Sequence, residues 1–180
     1  MPKVLIIECL DRNDPGSEGQ FLTHMLNIMN VPSQYVQLQT KQQVLALLSA
    51  VPKSVEIIHF TTHGSIDRGT DKIVGFWTPK GTITKSDIKK AEFDFSDITL
   101  IASACQAGQG AFATTVMEHT YCDYYISPVK SPSFTGAIYF SHIFYHQHFV
   151  LEKSIQESFE QYEDFYKNPY KWRLRYSSKK

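Results

Sequence analysis

Two segments carry side chains able to do covalent chemistry. One reads Ile57-Ile58-His59-Phe60-Thr61-Thr62-His63-Gly64, the other Leu100-Ile101-Ala102-Ser103-Ala104-Cys105-Gln106-Ala107-Gly108. Each is an apolar run that stops at a reactive group with glycine close behind. In an open α/β sheet the chemistry sits at the carboxyl ends of the strands. Neighbouring parallel strands ending this way bring an imidazole and a thiol to one edge. That pair suffices for a cysteine nucleophile with a proton-transfer partner. A free thiol is mostly protonated at neutral pH, so the imidazole must take its proton and later return it to the leaving amine. Taken singly, Cys105 reads as a small buried hydrophobe and His63 as a core histidine. Their shared placement favours catalysis. The Gly64 and Cys105 peptide N–H groups are the candidate oxyanion donors, since glycine lets substrate backbone approach. Gly108 and Gly110 are expected to bend the following loop into a cleft wall.

The rest of the chain must position these groups. Val4–Ile7 reads as a buried strand, followed by the polar loop Asp11–Gly16. Phe21, Leu22, Met25, Leu26, Ile28 and Met29 share one helical face. A strand at 35–38 follows. Thr40 then caps a helix whose apolar face holds Val44, Leu45, Leu47, Leu48 and Val51. The strand 55–62 completes a β-α-β-α-β rhythm, which argues for a parallel sheet with helices on both faces. A small hairpin (74–83) and a short helix opened by Thr84 and Asp87 interrupt it. Strands at 98–104 and 124–126 flank a helix near 111–119. Helices at 134–148 and 150–167 are stopped by Asn168-Pro169. The expectation is one α/β domain over 1–168 with a doubly wound, mostly parallel central sheet, and a basic, aromatic tail over 169–180.

Composition narrows the class. The chain has 180 residues, 42% hydrophobic and 20% charged, and no net formal charge. That balance gives no argument for nucleic acid or an anionic membrane. Three cysteines, with no C-x-x-C, argue against a disulfide framework and suit a reducing, cytoplasmic setting. The N-terminus is too short in apolar residues for a signal peptide. Residues 131–151 contain no Asp, Glu, Lys or Arg, but three histidines among them oppose a membrane reading. His142, His146 and His148 lack the pattern of a zinc site and read as structural, as does His59. No cofactor or metal is expected. In the tail, Tyr170-Lys171-Trp172-Arg173-Leu174-Arg175-Tyr176 alternates apolar and basic residues. It reads first as an edge strand with its basic side in water. Its aromatics and arginines would also suit a partner or nucleic-acid contact, the only such feature in the chain.

His-Gly after one hydrophobic strand and Ser-Ala-Cys-Gln-Ala-Gly after the next resemble the caspase-like cysteine peptidases of clan CD, nearest the bacterial CHAT-type branch. The likeness extends to Phe134-Thr135-Gly136-Ala137 and Ser154–Phe159, and so covers about residues 3–167. His63 precedes Cys105 by 42 residues, close to the caspase interval of about 50. The resemblance implies a caspase-like three-layer αβα sandwich. It implies a cysteine endopeptidase with Cys105 as nucleophile, His63 as general acid/base and Gly64 at the oxyanion, and requires no third triad residue. It also implies a polypeptide substrate and control by a separate sensor or partner, in some such bacterial effectors for defence against phage. Related enzymes that select basic residues carry an acid two positions before the cysteine. Here that position is Ser103, so an acidic primary pocket is not expected there. Arg12 lies on the loop after the first strand, where caspases carry an arginine that selects aspartate. Asp11 and Asp14 flank it and partly cancel its charge, so it reads first as an exposed surface arginine. Arg12 and Ser103 remain the candidate substrate contacts. Too few residues separate Cys105 from the next strand for a long cleavable linker. The alternatives are a non-catalytic caspase-like interaction module, and a nucleotide binder for which no glycine-rich phosphate motif is present.

Overall fold

The computed structural model describes residues 1–11, 14, 16–91 and 93–177. Six strands form the central sheet: β1 (Val4–Cys9), β2 (Ser33–Gln37), β3 (Ile57–Thr62), β7 (Thr99–Ser103), β8 (Tyr124–Pro128) and β9 (Trp172–Tyr176). Their order across the sheet is β2-β1-β3-β7-β8-β9. All neighbours run parallel except the last pair, in which β9 returns antiparallel to β8. β1, β3 and β7 are buried along their whole length. Strands covered on both faces need no polar alternation, and the polar residues they carry, Glu8, His59, Thr61 and Ser103 among them, are buried with the apolar ones.

Side-chain alternation splits the interior in two. Leu5, Ile7, Ile58, Phe60, Leu100 and Ala102 project to one face. That face is covered by α2 (Lys41–Leu48), α3 (Lys85–Lys90) and α4 (Gly110–Thr120), through Val44, Ile88 and Phe112. Val4, Ile6, Ile57, Ile101 and Ile126 project to the other. There α1 (Glu18–Ile28), α5 (Phe134–Tyr145) and α6 (Ile155–Tyr166) pack through Leu22, Phe140 and Tyr162. The result is a three-layer α/β sandwich with a mostly parallel sheet.

The expected hairpin is a three-stranded antiparallel sheet of β4 (Gly64–Asp67), β5 (Lys72–Thr78) and β6 (Gly81–Thr84). β4 escaped sequence reading because it begins directly beyond His63, with no turn residue to mark it. Thr84 and Asp87 do form a reciprocal capping box. The last two helices are shorter than expected. A π-helical turn over His146–Val150 ends the first, and a Ser154–Glu157 capping box opens the second at Ile155. In β9, Trp172 is buried and stacks on Phe140 at 3.9 Å. Arg175 is only partly exposed, and its Nη2 donates to the Gly108 carbonyl at 3.2 Å. No helix among the described residues is long and apolar enough to cross a membrane.

Candidate active site

Strand register brings the two reactive groups together. β3 and β7 pair in parallel with Thr61 opposite Ser103. His63 and Cys105 each lie two residues further on, so they leave the sheet side by side. Both line one cleft of about 180 Å³, together with Asp14, Glu18, Ser103 and Phe134. The His63 side chain is 47% exposed and Cys105 is half-buried. A solvent-accessible imidazole and thiol at one cleft are free to meet a substrate.

His63 is held from two directions. Its Nε2 lies 3.0 and 3.1 Å from the two Asp14 carboxylate oxygens. Trp77 packs edge-on against the ring at 5.5 Å. An ionised carboxylate only accepts, so Nε2 carries the hydrogen and Nδ1 is left as the basic nitrogen. The adjoining backbone is clamped to β5: Trp77 N–H donates to the His63 carbonyl at 2.9 Å, and the Thr62 hydroxyl donates to the Trp77 carbonyl. That pattern makes Gly64 and Phe76 a non-hydrogen-bonded pair of the ladder, so the Gly64 N–H is not consumed by it.

Glycine at 64 has a second cause. A Cβ there would lie 2.0 Å from the Cys105 carbonyl oxygen and 2.9 Å from its carbon. Only a residue without a side chain lets the two strand ends close on each other. Cys105 itself sits at a sharp strand-to-helix turn in which Gln106 adopts φ 61°, a left-handed conformation that costs a non-glycine residue roughly 1–2 kcal/mol. The turn is tied down by Gln106 N–H to the Lys130 carbonyl (3.3 Å) and Gly108 N–H to the Pro128 carbonyl (2.8 Å). Cys105 N–H has no acceptor among the described residues, as an oxyanion donor requires.

A buried polar network underlies the cleft. Glu18, in the first turn of α1, is 3% exposed. Its Oε1 accepts from His59 Nε2 (3.2 Å) and the Ser141 hydroxyl (3.3 Å), and its Oε2 from the Thr61 hydroxyl (2.6 Å). Burial pushes its carboxyl up, but His59, by hydrogen bond and electrostatic attraction, and hydrogen bonds from Thr61 and Ser103 outweigh that and hold it below the ordinary value. The start of α1 is fixed by a second buried carboxylate, Glu8, which accepts from the Ser17 hydroxyl, Gly19 N–H and the Tyr35 hydroxyl. By contrast, burial raises the Cys9 thiol to about 12 and the Cys122 thiol to about 11, which keeps both inert.

Several expectations change. Ser103 does line the cleft, yet it is buried and engaged with Glu18. Arg12 lies outside the described residues. Gly108 and Gly110 do not form the cleft wall, which comes from Pro132 and Ser133 on the β8–α5 loop and Phe134 at the start of α5. Gly108 is instead pressed against β8, where a Cβ would stand 2.7 Å from the Ser127 carbonyl. The stretch Gln109–Gly110 faces a separate groove with Thr70, Lys72 and Lys85. Two groups escaped the sequence reading. Asp14 registered only as a charge beside Arg12, and Glu18 drew no reading at all. Neither has a local signal, because both reach the cleft by tertiary folding. His59 is fully buried between Glu18 and the Tyr145 hydroxyl (2.9 Å from Nδ1). His148 Nδ1–H donates to the Lys153 carbonyl at 2.8 Å. No His, Cys, Asp or Glu cluster able to hold a metal occurs among the described residues. Comparison with known proteins assigns no relative: no family model matches the chain, and no curated protein matches its sequence.

Proposed function

We propose that the chain is a cysteine endopeptidase with a caspase-like fold, resembling the bacterial CHAT-type branch. One observation carries the reading: matched register at the ends of β3 and β7 sets His63 and Cys105 on the same cleft. In the reaction, His63 Nδ1 takes the Cys105 proton as Sγ bonds to the scissile carbonyl carbon. The Gly64 and Cys105 N–H groups hold the oxyanion. Breakage of the C–N bond returns that proton to the departing amine and leaves a thioester on Cys105. Water, giving a proton to His63, then attacks the thioester carbonyl, and the thiol is released. Asp14 keeps Nε2 protonated and stabilises the imidazolium between these transfers. In keeping with the resemblance, a separate sensor or partner protein supplies control.

An active-site-directed peptide electrophile tests the reading. Labelling is expected at Cys105 alone among the three thiols, and at least ~100-fold slower in His63→Ala, the scale of a lost acid/base group. Labelling indifferent to His63 would make Cys105 a bystander thiol and overturn the proposal.

A further inference from the structure

The deep end of the cleft is chemically one-sided. Tyr145 is fully buried, and its hydroxyl has His59 Nδ1 as its hydrogen-bond partner among the described residues. His59 Nε2 donates in turn to Glu18 at 3.2 Å. The Thr61 hydroxyl spends its proton on Glu18, and Ser103 turns toward the same carboxylate. The floor therefore offers the acceptor lone pairs of the Thr61 and Ser103 hydroxyls, backed by the Glu18 carboxylate. Nearer the mouth stands a second carboxylate, Asp14. Among the described lining residues there is no lysine or arginine. Leu10, Phe134 and Ala137 supply apolar walls. Such a channel suits a long aliphatic stem that ends in a cation, because the stem packs on the walls while the head donates to the floor.

Resting on the peptidase reading, we propose that this cleft is the primary-specificity pocket and takes a lysine or arginine side chain, with Glu18 as the residue that sets the preference. The acidic group missing at position 103 is supplied from α1. Glu18 acts through Thr61 and Ser103, and is a positioning residue.

The test has two arms. In the first, agmatine, n-butanol and propionate compete with iodoacetamide for Cys105 in the intact protein. Agmatine is expected to protect at a concentration at least tenfold below that of n-butanol, and propionate least well. In Glu18→Gln the agmatine advantage should shrink at least tenfold, a selectivity ratio that general loosening of the fold would not move. Equal protection by agmatine and n-butanol, or better protection by propionate, overturns the proposal in wild-type protein alone, whether or not the variant folds. In the second arm, peptide substrates differ only at the residue before the cleaved bond. Lysine and arginine should exceed leucine and aspartate at least tenfold in kcat/KM. Cleavage with a leucine or aspartate preference, the latter being what Arg12 would favour, sinks the basic pocket and leaves the peptidase standing. Agmatine protection without any peptide cleavage does the reverse.

Discussion

Gly64→Ala is the smallest change that should disable the site. Its new Cβ would fall 2.0 Å from the Cys105 carbonyl oxygen, against a limit near 3.0 Å that real Cβ atoms respect. The obstacle is backbone, and the far end of no flexible side chain can swing aside. The ends of β3 and β7 must therefore separate by about 1 Å, a misplacement that can cost ~10²-fold in rate. The same shift moves both proposed oxyanion donors, for which losses of 10²–10³-fold are usual. Overpacking should also lower stability by about 1–3 kcal/mol. The assay is peptide hydrolysis, or Cys105 labelling by a peptide electrophile, normalised to folded protein and paired with thermal melting. Gly69→Ala is the control, since a Cβ there meets nothing nearer than Asp67 Oδ1 at 3.4 Å. Turnover of Gly64→Ala within threefold of wild type would refute the reasoning, because the strand ends would then not be closed on each other as described.

Asp14→Asn can donate to Nε2 and so reverse the His63 tautomer, leaving no base on Nδ1. Its kcat should fall by ~10²-fold or more with partial rescue in Asp14→Glu, and an unchanged kcat would remove Asp14 from the mechanism. Acid should expose the buried Glu18. Its folded carboxyl sits below the ordinary value, so its contribution to stability is complete above the unfolded pKa of about 4.3 and is lost as pH falls through the folded pKa. Melting temperature below about pH 5 should decline more steeply in wild type than in Glu18→Gln, and parallel curves would contradict this. The active enzyme should be one uncut chain, because most of the segment between Cys105 and β8 is α4, whose Phe112, Ala113 and Val116 are core residues. Mass spectrometry of active protein showing an obligatory cut there would overturn it.

What the sequence determined by itself was local. The stretches at 4–7, 57–60 and 100–102 are mostly apolar because both faces are covered, so they declare themselves as buried strands without partners being known. The caps at Thr40 and Thr84 act within four residues and are visible in the letters. His63 and Cys105 stood out because a reactive group ending an apolar run needs no tertiary knowledge to be noticed. Only the folded chain decided what surrounds them. Asp14 meets His63 across the gap between the loop after β1 and the end of β3. Glu18 reaches beneath Ser103 because α1 is fixed by Glu8 and Tyr35. Gly64 is pinned by a peptide far along the chain. Charge and close approach act through space, and a side chain's spatial neighbours leave no periodicity for the sequence to carry.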